Sequence, residues 1–299
     1  MKITNFFCSV VIVLGMLLTA CSTTATDPSE AYKGESGEQI FQKGEEALRD
    51  RNTSEAIKRF EALDVQYPFG RNAEIAQLHI IYAYYMNSDY ASAEAAADRF
   101  IHSHPANPHV DYAYFMRGLA NYYQNMGVFE RLFAVDFATR DLTQVKKSFN
   151  DFSDLVRLYP NSNYAPAAHQ YMVYLRNVLA NHQLGVAKYY YERHAYVAAV
   201  NRASLAVRHY QGSPAVPQGL VMMARSYRKL QLQVPESQVM QVLEYNYPDS
   251  VYVKEAAGEK DVPSQTILMA SKKAVVNVDD AGLTVAQRST IMAKNSTRD

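Results

Sequence analysis

The sequence predicts an all-α chain built from successive helix pairs, and three observations carry that prediction. Between Gly37 and Pro248 apolar residues recur at i, i+3, i+4 and i+7, the period of a helix with one buried face. Runs of β-branched residues alternating with polar ones, the mark of strands, are missing from that stretch. Prolines close four segments, at Pro68, Pro105, Pro160 and Pro248, each behind Tyr or His. Proline has no backbone N–H and clashes with the preceding turn, so it stops a helix.

The segment ends reveal a repeat. Counting back twelve, eight and five residues gives Ala56, Phe60 and Leu63 before Pro68, and Ala93, Ala97 and Phe100 before Pro105. The same count gives Ser148, Phe152 and Leu155 before Pro160, and Ala199, Ala203 and Ala206 before Gln211. Glu236, Met240 and Leu243 precede Pro248. This spacing resembles the second helix of the tetratricopeptide repeat, whose period is about 34 residues. First helices fit where small residues are needed for close approach, at Gly44 and Ala47 and at Ala187 with Tyr190. The expected fold is a right-handed α-solenoid of about five tetratricopeptide-like helix pairs. Gln211 replaces proline in the fourth unit, which predicts a less firmly set helix end. Glu236 replaces the small residue in the fifth.

Unit lengths differ. Pro68 to Pro105 and Gln211 to Pro248 are each 37 residues, Pro105 to Pro160 is 55, and Pro160 to Gln211 is 51. The third unit therefore carries an insertion near 125–143, and an extra helical piece is expected from Tyr164 to about His182. Solenoid insertions emerge on one face and either bind or merely decorate the surface; both readings stay open. Residues 22–36 are polar and read as a tether. Beyond Asp249 the repeat stops, and 249–299 reads as a disordered tail with a short helix near Thr284–Lys294. The expected organisation is a signal peptide over 1–20, a tether over 21–36, the solenoid over 37–248 and the tail over 249–299.

The first residues carry an address. One Lys precedes an uncharged apolar run from Phe6 to Leu18. It is shorter than the about 20 residues a membrane-spanning helix needs and matches the apolar part of a signal peptide. Leu18-Thr19-Ala20-Cys21 resembles the lipobox of bacterial lipoproteins. That resemblance implies cleavage before Cys21, with acyl chains on its sulfur and its new amine, enough to anchor firmly where one chain gives marginal binding. Ser22 stands where Asp would signal inner-membrane retention, which favours the outer membrane and its periplasmic face. The only other cysteine, Cys8, leaves with the signal peptide, so a disulfide framework and thiol catalysis are excluded for the mature chain.

Composition narrows the function. Lys plus Arg and Asp plus Glu balance at 30 each, and without a basic excess nucleic acid is not an expected partner. There are 23 Tyr and no Trp, a content that serves helix packing and exposed contact surfaces alike. His102, His104 and His109 cluster in sequence, but a metal site needs further ligands in fixed geometry. No phosphate loop, no Gly-x-Ser-x-Gly and no His-Glu-x-x-His occurs. No catalytic residue, cofactor or metal is therefore expected, and a helical-repeat solenoid points to binding.

Specific strings go further. They are Ala62-Leu63-Asp64-x-x-Tyr67-Pro68-Phe69-Gly70, Ile81-Tyr82-Ala83-Tyr84-Tyr85, Asp98-Arg99-Phe100-Ile101 and Met116-Arg117-Gly118-Leu119. Phe149-x-Asp151-Phe152-Ser153-x-Leu155-Val156-Arg157, Tyr159-Pro160-Asn161-Ser162 and Val200-Asn201-Arg202 continue the series. Together with the lipobox and the repeats, they resemble the BamD family, lipoprotein subunits of the outer-membrane β-barrel assembly machinery. The resemblance spans about 37–247 and includes the insertion in the third unit. It implies a lipid-anchored scaffold that binds the barrel-forming subunit through a periplasmic POTRA domain, alongside other assembly lipoproteins, and receives unfolded β-barrel clients. It further implies Arg202 as a partner-binding residue in the C-terminal repeats and Tyr67 as a client-binding residue in the N-terminal ones. Another reading of the same features is an adaptor of a cell-wall or secretion complex; a murein hydrolase would instead need a convergent acid pair.

Overall fold

The computed structural model describes residues 27–28, 30–69, 71–125, 141–248 and 250–258. Cys21 and the expected signal peptide, residues 126–140 of the expected insertion, and the chain from 259 onward, including Thr284–Lys294, lie outside the described residues. Every regular element among the described residues is a helix. They fall into two compact units that divide at Ile80 and Ile81.

The first unit holds α1 (Gly37–Arg49), α2 (Thr53–Gln66) and the start of α3 (Arg71–Met86). Ser36 starts α1 with a reciprocal cap: its hydroxyl accepts from the Gln39 N–H, and the Gln39 side chain accepts from the Ser36 N–H. Ile40, Phe41, Gly44, Ala47 and Leu48 form one stripe of α1 and are buried against α2. Ala56, Phe60 and Leu63, the three positions of the repeat count, form the answering stripe.

The second unit continues with α4 (Tyr90–Ser103), α5 (Val110–Asn125), α6 (Thr143–Leu158) and α7 (Ala165–Glu192). It ends with α8 (Tyr196–His209), α9 (Val216–Lys229), α10 (Gln233–Asn246) and α11 (Val251–Ala257). From α4 to α11 each helix packs on the next. The repeat-count positions of the second, third and fourth units are all fully buried. In the fifth, Leu243 is fully buried while Glu236 and Met240 are half-buried.

Two rules recur along the chain. Each second helix ends on one residue with the same backbone twist, whether proline follows or not. Tyr67, His104, Tyr159, Tyr210 and Tyr247 have φ between -139° and -123°, and each donates its N–H four residues back. The fourth helix therefore ends as firmly as the others, with Gly212 at φ +76° in place of a proline stop. The turns inside the pairs also repeat: Arg51, Ser88, His194 and Gln231 all take φ near 60° just before the next helix.

Three expectations change. The extra piece from Tyr164 is not separate, because α7 runs unbroken for 28 residues into the first helix of the fourth pair. Pro166 lies in its first turn, where its missing N–H costs nothing, and no later residue stops it. The segment expected to be a tail begins as α11, with Ala256 buried and the helix packed on α9 and α10. The C-terminal part of the expected tether is docked: Gln66 donates to the carbonyls of Pro28 (2.8 Å) and Ala31 (2.6 Å).

Candidate partner-binding surfaces

Tyr67 caps α2. Its hydroxyl donates to the Glu35 carbonyl at 3.0 Å, and its ring lies so close over Gly37 that a Cβ there would stand 3.1 Å from Cγ. The side chain therefore has a packing role, pinning the start of α1 to the end of α2. Its outer edge stays open, at 42% exposure, between Val65 and the 93%-exposed Phe69. Three apolar side chains in five residues thus face solvent at one helix end, held by a ring that cannot swing away.

The neighbouring chain stiffens this end. Arg59 stacks over the Tyr32 ring at 4.1 Å and pairs with Glu55 (2.8 Å) and Glu35 (3.2 Å). Tyr32 donates to Glu55 at 2.9 Å. Partial burial, with that hydrogen bond and the nearby Glu55 charge, pushes the Tyr32 hydroxyl up to about 12.

Arg202 lies on α8, beside the buried Ala199, Ala203 and Ala206 stripe. Its guanidinium is exposed and reaches only the Gln183 side chain, at 3.5 Å; no described carboxylate pairs with it. An arginine held at the surface without an internal ion pair can offer its planar fork to an outside carboxylate.

One constellation escaped the sequence reading. Arg117 on α5 places Nη1 2.7 Å from Asp98 on α4 and Nε 2.8 Å from Asp151 on α6. Asn121 donates to the other Asp151 oxygen at 2.8 Å. Burial pushes the Asp151 carboxyl up to about 6, against the opposing pull of Arg117 and Asn121. Asp98, Arg117 and Asp151 each sit in one of the quoted strings, but only the packing of three helices brings them together. The network is a clamp between helices, with Arg117 and Asp151 largely buried and the Asp98 carboxylate half-exposed at its edge.

The clustered histidines do not converge. His102 bonds back to the Asp98 carbonyl at 2.8 Å, while His104 packs on Phe100. No group of three or more His, Cys, Asp or Glu able to hold a metal occurs among the described residues. Nor is any helix there long and apolar enough to cross a membrane.

Stacked helix pairs with capped, repeating turns define a tetratricopeptide-type scaffold. Within that class the chain belongs to the BamD family: residues 33–243 match the family YfiO, described as outer membrane lipoprotein. It is similar to the outer membrane protein assembly factor BamD of Neisseria meningitidis serogroup B, 34% identical over 252 residues, covering 84% of this chain and 94% of that one. The protein of that name from Haemophilus influenzae is 31% identical over 84% of this chain and 94% of its own length. The one from Vibrio cholerae is 36% identical over 70% and 86%.

Proposed function

We propose that this chain is a lipid-anchored, non-catalytic scaffold subunit in the assembly of outer-membrane β-barrel proteins. The observation that carries the reading is family membership over 33–243, with relatives named outer membrane protein assembly factor. In this reading Cys21 carries the lipid and holds the protein at the periplasmic face of the outer membrane. Arg202 meets a carboxylate on the POTRA domain of the barrel-forming subunit. The exposed strip at Val65, Tyr67 and Phe69 receives an extended apolar segment of an unfolded client. The scaffold lowers no chemical barrier. It raises the local concentration of client beside the insertion site, as tethering does.

Pull-down from solubilised envelopes tests the partner. Wild type should retain the barrel-forming subunit, and Arg202→Glu should weaken it by about 30-fold or more, as for an interface arginine worth about 2 kcal/mol. Equal retention removes Arg202 from the interface; absence of any barrel subunit removes the assembly role. A photo-crosslinking residue at position 67 should trap a peptide from a client's last strand. Cys21→Ala should release the protein from the outer membrane while leaving its helical content unchanged.

A further inference from the structure

Charge in this chain is balanced only in total. Residues 27–111 hold fifteen Asp and Glu against eight Lys and Arg. Residues 155–235 hold nine Lys and Arg against one acid, Glu192. The basic stretch covers α7 to α9. Arg157, Arg225 and Arg228 pair with Asp154, Glu255 and Glu236 just outside it. The remaining Arg176, Lys188, Arg193, Arg202, Arg208 and Lys229 against Glu192 still leave this part positive although the chain is neutral.

Within it lies a turn of unusual composition, Lys188-Tyr189-Tyr190-Tyr191-Glu192-Arg193-His194-Ala195-Tyr196, joining α7 to α8. Tyr189 is 49% exposed, and the Arg193 guanidinium lies 3.6 Å over its ring. Tyr190 packs edge-on against Tyr189, and Tyr191 against Tyr196. His194, at φ 61°, sets Nδ1 2.8 Å from the Tyr196 hydroxyl. Val197, one residue on, is 60% exposed. The sole acid, Glu192, lies 3.9 Å from Lys188 with both side chains open to water, a weak and screened pair.

We infer that this turn is an edge that rests on anionic phospholipid headgroups. The chemistry matches that boundary. Tyr rings sit at headgroup depth with their hydroxyls toward water, and Lys and Arg extend to phosphate while their stems cover apolar surface. A basic excess is drawn to an anionic leaflet over about one Debye length, roughly 8 Å at physiological salt. The turn joins two helix ends and carries one exposed aliphatic side chain, which suits a flat, soft surface. The same basic stretch contains Arg202, but the turn is a separate contact and does not depend on that residue's partner.

The test uses the full chain with Val197→Cys, labelled with a polarity-sensitive fluorophore; the unsubstituted chain is the labelling blank. Vesicles of phosphatidylethanolamine with phosphatidylglycerol are compared with vesicles of phosphatidylcholine. A lipid anchor at Cys21 brings the protein to both kinds alike, so a difference between them reads the turn. The expected result is a blue shift on the anionic vesicles only, reversed by raised salt. Lys188→Glu with Arg193→Glu should abolish the shift, and Arg193→Lys should keep most of it, with circular dichroism unchanged throughout. A label at Glu61→Cys should stay unshifted on both. The inference fails if the shift at 197 is equal on neutral vesicles, survives charge reversal or is matched at 61. It also fails if vesicles give no shift and only a solubilised envelope protein does, which would make the turn a protein-docking site.

Discussion

In the first helix pair Phe60 lies over Gly44, and in the third Phe152 lies over Gly118. In each, a Cβ on the glycine would stand within 2.7 Å of the ring. What covers the rings differs. His79 stacks on Phe41 (5.9 Å) and meets the edge of Phe60 (5.4 Å), whereas Tyr171 stacks flat on Phe152 at 4.9 Å. Both lids stand eleven residues after the proline that ends the pair, and Met116 holds the same register after Pro105. The repeat backbone thus sets where a lid goes, and the side chain there sets how the joint responds to its surroundings.

The two regions also carry buried groups, His79 and Asp151, that respond to acid in opposite directions. His79 is fully buried, its Nδ1 has no hydrogen-bond partner, and the nearest carboxylate, Glu45, is 4.0 Å away. Burial holds its pKa down to about 4, so the neutral ring is the stable form inside. The stability it contributes is complete above its ordinary value near 6.5 and is lost as pH falls through about 4. Asp151 runs the other way. Its pKa is raised to about 6 by burial, so the folded state binds the proton more tightly than the unfolded chain. Its contribution is complete below its ordinary 3.8 and is lost as pH rises through about 6.

Four measurements would break or sharpen this contrast. Arg117→Ala strands the buried Asp151 charge and should cost about 3–5 kcal/mol in denaturant unfolding at neutral pH. Hydrogen exchange should then rise in α4 to α6 and not in α1 and α2; a uniform rise would erase the distinction between regions. His79→Met, which copies the residue at the same register in the second unit, should remove up to about 3 kcal/mol of acid-induced loss between pH 6.5 and 4. An unchanged pH profile would show that His79 is not the acid-sensitive group. Gly44→Ala and Gly118→Ala should each cost about 1–3 kcal/mol by overpacking. The second should cost more, since Phe152 is held by the flat Tyr171 stack. Smallest, Arg51→Gly and Gln231→Gly should each raise stability by up to about 1 kcal/mol, relieving a side chain from the left-handed region.

Most of the fold was legible because tetratricopeptide packing puts its demand on fixed positions. Phe60, Ala97, Phe152 and Ala203 are fully buried at the count that marked them. The long α7 was not legible as one piece, since a helix inserted before a repeat and a helix continuing into it have the same period. His79 has Ile75, Ala76, Tyr82 and Ala83 at helical spacing, a sign of burial, but its place over Phe60 shows only in its register, compared with Tyr171. The Asp98–Arg117–Asp151 clamp joins three helices, and no spacing along one chain encodes such a crossing. Tyr67 was legible as a helix end, but its bond to Glu35 depends on a segment that reads as a polar tether.

That docked segment has a mechanical consequence. A pull on the chain from its N-terminal side meets two hydrogen bonds from Gln66, then Tyr32 under Arg59, then Glu35 shared among Arg59, Lys43 and the Tyr67 contact. These fastenings follow one another along the segment ahead of α1, most of them on α2 or its cap and one, Lys43, on α1 itself. In the anchored form proposed above, load from Cys21 would be taken up one fastening at a time before it reached the first turn of α1.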